Sequence, residues 1–503
     1  MRLTPAPRTT PATQVAETSS QAEPNVWPRP SIGIPTPSPK PVGADAFHFL
    51  KDTHRRLADE PLSPGSPYYE PLHEGNIQDD PVARMFTSIA FAPVESIQLF
   101  SGFSGSGNTT ELLRLKQRLE QNDFVVVYAN ALDYLNPAEP VDITELLIVL
   151  AAAFGEAVAE MPGAPVLTES FWGRLLNFLT NTELSLSEAG ISVEAEAPLR
   201  EVFGKLKAGV DLKLELKTAS SFRQNLQRVL NSHLASLQQQ VSDFYLDAVQ
   251  RIRRVRGENA NIVFLFDQLE QMRGGLLTEQ DVIHSVERIF TIHVERLRLP
   301  NIHVVYTAPP WLKFVTPGMV AMVLLPARHL WNNNPARTPT ESNRRAFRSV
   351  VMKRLGEDGA RRLLGDDEAE RNRLIDILID HSGGHLRDLL RMLRDVVLRS
   401  ASVSALPVDA VVVQATINAL RRDYFPIARS DARWLAEIAR NRATALPDTE
   451  PGAINRLSRF LDSHRVLYFV NAEEWYDVHP LIRDEIDKVL RVDEVSSDPV
   501  TTP

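Results

Sequence analysis

Cysteine is absent from all 503 residues. That excludes disulfides, thiolate zinc sites and cysteine nucleophiles, and it fits a reducing compartment. Long apolar runs are missing too. The longest nearly uncharged one, Leu146 to Gly155, is far shorter than the ~20 residues of a spanning helix, so a buried helix and no membrane partner are expected. The opening MRLTPAPRTT lacks the basic-then-apolar order of a signal peptide, and a cytoplasmic location is the expectation. Basic charge is not in excess either: the net charge is −9, so the molecule as a whole exerts no pull on nucleic acid.

What is present is ordinary globular composition, 43% hydrophobic and 24% charged, with length for two to four domains at about 150 residues each. Residues 1–45 hold ten of the 35 prolines. Such a stretch buries too little apolar surface to offset chain entropy and reads as a disordered tail. Buried-strand runs then begin at Ile97, at 124–130 (FVVVYAN), 261–267 (NIVFLFD), 301–307 (NIHVVYT) and 320–326 (VAMVLLP), with helical patterns between them. Strands alternating with helices predict an α/β fold, a mostly parallel sheet with helices on both faces.

An insertion at about 182–256 interrupts this rhythm. Residues 209–217 (GVDLKLELK) alternate strictly, as a half-exposed strand does, and 183–196 offers partners. Phe222 to Ile252 keep helical spacing for over thirty residues, which suggests either a projecting arm or a helix packed on its own domain. Beyond about 335 the strands stop. Helices are expected at 341–355, 368–381, 385–400 and 408–423. The segment 430–492 then reads helix, helix, a hairpin of 466–470 and 474–478, and a last helix after His479-Pro480. The expected organisation is a tail (1–45), a P-loop nucleotide-binding domain (46–335), a helical lid (336–428), a winged-helix domain (429–492) and a disordered tail (493–503).

The chemistry centres on Gly102-Phe-Ser104-Gly105-Ser106-Gly107-Asn108-Thr109-Thr110. The spacing is that of G-x-x-x-x-G-K-[ST] at every defined position except the lysine. Glycines let the backbone wrap phosphates and reach φ > 0. The loop N–H groups and the following helix N-terminus supply an anion site, and Thr109 is placed to put its hydroxyl on Mg²⁺. A buried strand before the motif and an amphipathic helix after it complete the P-loop context. Asn108 brings amide hydrogen bonds but no charge, so binding is expected to survive in weakened form. Phosphoryl transfer, which depends on electrostatic stabilisation, is expected to be slow or absent. Asp267, ending its strand, is the expected second Mg²⁺ contact. Gln268 occupies the place where an acid often follows, and Glu270 is either a catalytic base or a surface carboxylate.

Together the loop, the extra strand between it and the acid strand, Thr307 ending the next strand, and Gly383-Gly384-His385-Leu386-Arg387-Asp388-Leu389-Leu390 resemble AAA+-related signalling ATPases, including the STAND class and origin-recognition-like ATPases. Trp475–Pro480 (WYDVHP) also resembles the closing hairpin of a bacterial group of AAA-family ATPases. The resemblance implies ATP or another NTP with Mg²⁺ as cofactors, Thr307 as a polar sensor and Arg387 as a second sensor reaching the γ-phosphate. It also implies a place for Arg296 or Arg298 as a finger toward a neighbouring subunit. The family normally keeps the loop lysine, so Asn108 and Gln268 favour a nucleotide-responsive switch with a protein partner or in a homo- or hetero-oligomer, in bacterial stress or defence signalling. The alternatives are an ATPase acting on DNA through the winged helix, and a nucleotide-free scaffold. DNA is not favoured: the recognition helix offers Arg456, Arg459 and His464, but the wing carries Glu473, Glu474 and Asp477.

Overall fold

The computed structural model describes residues 43–73, 80–163, 177–178, 217–218, 220–275, 277–315, 318, 320–403, 406–444, 452–471 and 473–497. Five strands, β1 (Ser96–Gly102), β2 (Val125–Asn130), β3 (Ile262–Asp267), β4 (Ile302–Ala308) and β5 (Ala321–Leu325), form one sheet in the order β2-β3-β4-β1-β5, with every pairing parallel. All five apolar runs of the sequence are therefore strands, and the α/β class with a parallel sheet holds.

These strands are apolar throughout because both faces are covered. Side chains alternate between the two faces. Phe100, Val263, Leu265 and Val305 pack with Leu112, Leu115 and Leu119 of the helix Asn108–Glu120 on one side. Leu99, Phe264, Phe266, Val304 and Tyr306 join the larger core on the other. That second face is covered by the helix Ile143–Ala159, whose Phe154 meets Phe264 and Tyr245 with ring centroids 5.3 Å apart in both pairs. Helix Ile143–Ala159 contains the longest apolar run and is buried along nearly its whole length. No helix among the described residues is long and apolar enough to cross a membrane.

The thirty-residue helix expected from Phe222 to Ile252 is two helices, Ser220–Asn231 and Leu234–Arg256. The break falls at Ser232-His233, where a serine and a non-helical histidine follow Asn231, all poor helix formers. Neither helix projects as an arm: Leu226, Leu230, Leu237, Val241, Phe244, Ala248 and Ile252 are all buried in the main core. The strands expected at 183–196 and 209–217 lie outside the described residues, except Lys217, which is helical.

The helical region after the sheet contains Glu341–Leu355, Glu357–Leu364, Glu368–Ser382, Leu386–Val403 and Ala410–Arg422. It is followed by helices Arg429–Asn441 and Ala453–Asp462, the antiparallel hairpin β6 (Val466–Asn471) and β7 (Glu473–Val478), and the helix Pro480–Ser497. Two expected boundaries move. A helix already begins at Ala44, inside the expected tail, and the last helix passes residue 492 to Ser497; residues 1–42 and 498–503 lie outside the described ones. The hairpin docks back on the sheet domain: Ala327 donates its backbone N–H to the Tyr468 carbonyl (2.9 Å) and packs with Leu467, Phe469 and Trp475.

Candidate functional site

β1 delivers Gly102 to the C-terminal edge of the sheet, and the chain turns through Ser104–Gly107 into the helix Asn108–Glu120. The turn needs glycine at two places. Gly105 and Gly107 sit at φ +88° and +103°, and a Cβ on Gly105 would lie 2.5 Å from the Cβ of Arg387. Above Gly107 there is nothing within 4 Å of such a Cβ, so this side of the loop is open.

Asn108 is buried and turned back on its own loop. Its Nδ2 donates to the Gly102 carbonyl (2.9 Å), and its Oδ1 accepts from the Ser106 hydroxyl (3.2 Å). Gly102 makes that possible, since a Cβ there would stand 2.1 Å from Asn108 Oδ1. Thr109 hydrogen-bonds the Asp267 carboxylate, and Thr110 accepts from the Leu62 N–H (3.1 Å). A threonine hydroxyl against a carboxylate, both hard oxygen donors, is a set that suits Mg²⁺.

Asp267 is fully buried at the end of β3, where the Tyr128 hydroxyl (2.7 Å) and the Gln268 N–H (2.8 Å) donate to it. Burial raises its pKa, and these donors and Thr109 act in the opposite direction. Tyr128, in β2, was not singled out in the sequence; its role follows only from β2 pairing with β3 in register. After Asp267 the chain makes a left-handed turn at Gln268 (φ +66°) and a short 3₁₀ turn over Leu269–Gln271. That turn swings Glu270 into the pocket, where it is 4% exposed, so it is not a surface carboxylate. Thr307, in β4, accepts from the Leu269 N–H (2.9 Å) and hydrogen-bonds Glu270.

Burial, and then the charge of Asp267, push Glu270 up to about 7 from the ordinary 4.5. A carboxyl with a raised folded-state pKa binds protons that the unfolded chain has released. Wild-type stability is therefore expected to fall as pH rises from about 4.5 to about 7 and to keep that penalty above it. In metal-free buffer Glu270→Gln should melt higher than wild type at pH 8, and the two should converge near pH 4. Equal melting temperatures at pH 8 would remove the buried charge as the cause.

The helical region closes over the loop from the other side. The Arg387 N–H donates to the Gly105 carbonyl (3.2 Å), its guanidinium donates to the Ser104 hydroxyl (2.6 Å), and Nε lies 3.3 Å from Asp59. Loop, Glu270 and Arg387 thus line one cleft of about 120 Å³, walled on its remaining side by a strap from Asp59 to His73. No local sequence pattern marks this strap. It is proline-rich and carries no periodic pattern, yet Tyr69 reaches Glu111 (3.1 Å) and buried His73, held neutral by burial and by Arg328 and Arg114 (pKa about 3), lines the cleft.

Other candidates are placed elsewhere. Arg296 hydrogen-bonds Gln238 and Arg298 pairs with Glu295 (2.7 Å), and neither lines the cleft. Of the three residues on and after the helix Ala453–Asp462, Arg456 pairs with Asp431 (3.0 Å), Arg459 pairs with Glu279, and His464 is buried. On the hairpin, Glu474 pairs with Lys313, and Asp477 with Arg337 (2.9 Å) and Arg483 (2.5 Å).

No family model matches the chain, and no curated protein matches it. Among solved structures it is similar to the Aeropyrum pernix ORC2 protein in its ADPNP-ADP complexes, at 11% identity and TM-score 0.34, covering 88% of this chain and 98% of that one. It is similar to a chain of Drosophila ORC bound to DNA at 12% identity and TM-score 0.32, covering 93% and 96%. The Thermotoga maritima RuvB Holliday junction branch migration motor follows at 9% identity and TM-score 0.30, covering 83% and 98%. Likeness at this level adds no argument about the site.

Proposed function

We propose that the chain is a nucleotide-responsive switch of the AAA+/STAND type, which binds ATP or another NTP with Mg²⁺ between the phosphate loop and the helical lid and hydrolyses it slowly or not at all. The observation that carries this reading is the direct seating of Arg387 on Gly105 and Ser104. A phosphate in the loop would meet the guanidinium at once, so its binding would bias the lid's position. Gly102 to Thr110 would cradle the phosphates, Thr109 and Asp267 would hold Mg²⁺, and Glu270 and Thr307 would flank the water position. The lid residues continue into the hairpin module, which in this reading is a winged helix that packs on the core and relays the lid's state to a protein partner or a neighbouring subunit. A cytoplasmic role in bacterial stress or defence signalling fits the resemblance.

Slow turnover follows from Asn108, which is neutral and committed to Gly102 and Ser106. Isothermal calorimetry with ATP and ADP, with and without Mg²⁺, tests the reading. Saturable ATP binding that tightens with Mg²⁺ and weakens at least ~10-fold in Arg387→Ala is expected, the loss of a charge-assisted contact being worth roughly 1.5–3 kcal/mol. Absence of heat with either nucleotide sinks the switch and leaves the scaffold. The ATPase-on-DNA alternative is disfavoured by the ion pairs that occupy Arg456 and Arg459; a steeply salt-dependent DNA affinity would revive it.

A further inference from the structure

Next to the phosphate loop, among residues that do not line the cleft, three histidines and an aspartate meet in the interior. His385 immediately precedes the helix Leu386–Val403, and Asp388 in its first turn meets it at 2.8 Å. His464 follows the helix Ala453–Asp462 in a left-handed turn (φ +56°), and His479 follows β7. All four are buried, His385 and His479 completely. One donor atom from each of His385, Asp388 and His464 lies within 4.8 Å of the others, and the two imidazole centroids are 4.2 Å apart.

The hydrogen-bond pattern leaves two positions unresolved. His385 Nε2 faces the Ser104 carbonyl at 2.9 Å; a carbonyl only accepts, so Nε2 carries a proton. Nδ1 then faces Asp388 Oδ2 at 2.8 Å, acceptor against acceptor unless positive charge lies there. Tyr424 donates to the same oxygen (2.8 Å), and His479, whose Nδ1 accepts from the Leu481 N–H (3.3 Å), brings Nε2 to 3.3 Å from it without a hydrogen bond. His464 Nε2, buried, has no hydrogen-bond partner. A proton on His385 Nδ1 resolves the first conflict and leaves His464 orphaned. A metal cation resolves both.

We propose that His385 Nδ1, Asp388 and His464 Nε2 form a binding site for a divalent first-row transition ion, zinc by ligand preference. Imidazole nitrogens with one carboxylate suit Zn²⁺ at bond lengths of about 2.0–2.2 Å; donors within 4.8 Å of one another need to shift only modestly, the 2.8 Å His385–Asp388 pair parting and the wider ones closing. His385 donating its second ring N–H to a backbone carbonyl, and Tyr424 donating to Asp388, are the outer contacts that ligating groups ordinarily receive. The ion would staple the lid to the hairpin module and fix the imidazole that holds the phosphate loop. The site stands whether or not nucleotide binds.

The test uses the full chain stripped with EDTA. Zn²⁺ is added in competition with a chromophoric chelator, and Co²⁺ in a parallel sample is followed by its visible spectrum. One Zn²⁺ per chain, intense tetrahedral Co²⁺ bands and a raised melting temperature are expected. His464→Asn, chosen because asparagine tolerates the left-handed turn, should weaken Zn²⁺ at least ~100-fold, while His381→Gln, outside the cluster, should leave it unchanged. Substoichiometric Zn²⁺ in the wild type, equal binding by His464→Asn, or a weak octahedral Co²⁺ spectrum overturns the site. Should His464→Asn fail to fold, the wild-type stoichiometry and Co²⁺ spectrum decide alone.

Discussion

Gly384→Ala is expected to destabilise the chain by about 3 kcal/mol or more and to loosen the lid from the sheet domain. The native φ is +83°, and a Cβ there would lie 1.8 Å from the Arg328 carbonyl oxygen and 2.9 Å from its carbon. Backbone meets backbone, so no rotamer change relieves the clash. Left-handed strain adds roughly 1–2 kcal/mol and overpacking roughly 1–3 kcal/mol. Neighbouring glycines provide a graded series. In Gly383→Ala the new Cβ meets Pro480 Cδ at 2.7 Å and Leu467 Cδ1 at 2.9 Å; the leucine methyl can rotate away, the proline ring can only shift with its backbone, so the loss should be smaller than against a carbonyl at 1.8 Å and fall on the contact with the hairpin module. In Gly65→Ala (φ +82°) nothing lies within 4 Å, and only the backbone strain remains. Urea unfolding midpoints should rank Gly384→Ala below Gly383→Ala below Gly65→Ala. A Gly384→Ala midpoint no lower than that of Gly65→Ala would mean that the approach to Arg328 is not this close.

Asn108→Lys should act in two opposite directions. Without nucleotide it should destabilise, because the bond to Gly102 is lost, at about 1 kcal/mol, together with a share of the Ser106 hydroxyl, which also donates to the Phe103 carbonyl. With Mg²⁺ and ATP it should bind about 10-fold more tightly, the difference between a neutral and a charge-assisted hydrogen bond being roughly 1–1.5 kcal/mol. Turnover should rise further, by ~10²-fold, because a charge aimed at the transferring phosphoryl group is worth most in the transition state. Calorimetry and phosphate release measure both. If wild-type turnover equals that of Asn108→Lys, another group already supplies the charge, and Arg387 on Ser104 is the nearest candidate.

The five strands, the glycine loop and the place of Asp267 at the end of its strand were legible because each depends on a short window of sequence. A strand buried on both faces must be apolar at every position, and a loop wrapped on phosphate must have glycine where φ is positive. The hairpin 466–478 was legible for the same reason, as two apolar-rich runs around a short turn. Less was visible where a local signal was weak: the helix Glu357–Leu364 is a single eight-residue unit between Gly356 and Gly365, too short for periodicity to announce it. The long helical pattern after Phe222 was right in period and wrong in continuity, because Ser232-His233 breaks it without a glycine or proline.

By itself, then, the sequence determined the sheet and the glycine loop with the neutral Asn108 at its end. Tertiary structure decided what else attends that loop beside the expected Thr109, Asp267 and Arg387. Glu270 faces the cleft because Gln268 adopts a left-handed turn, Tyr128 reaches Asp267 because β2 lies beside β3, and the strap from Asp59 to His73 becomes a wall only once the lid is seated. Asn108 folds inward because Gly102 leaves room for it, and His385 meets His464 across 79 positions of chain. These are encounters between residues far apart in sequence, set by packing and strand order, and no local period records them.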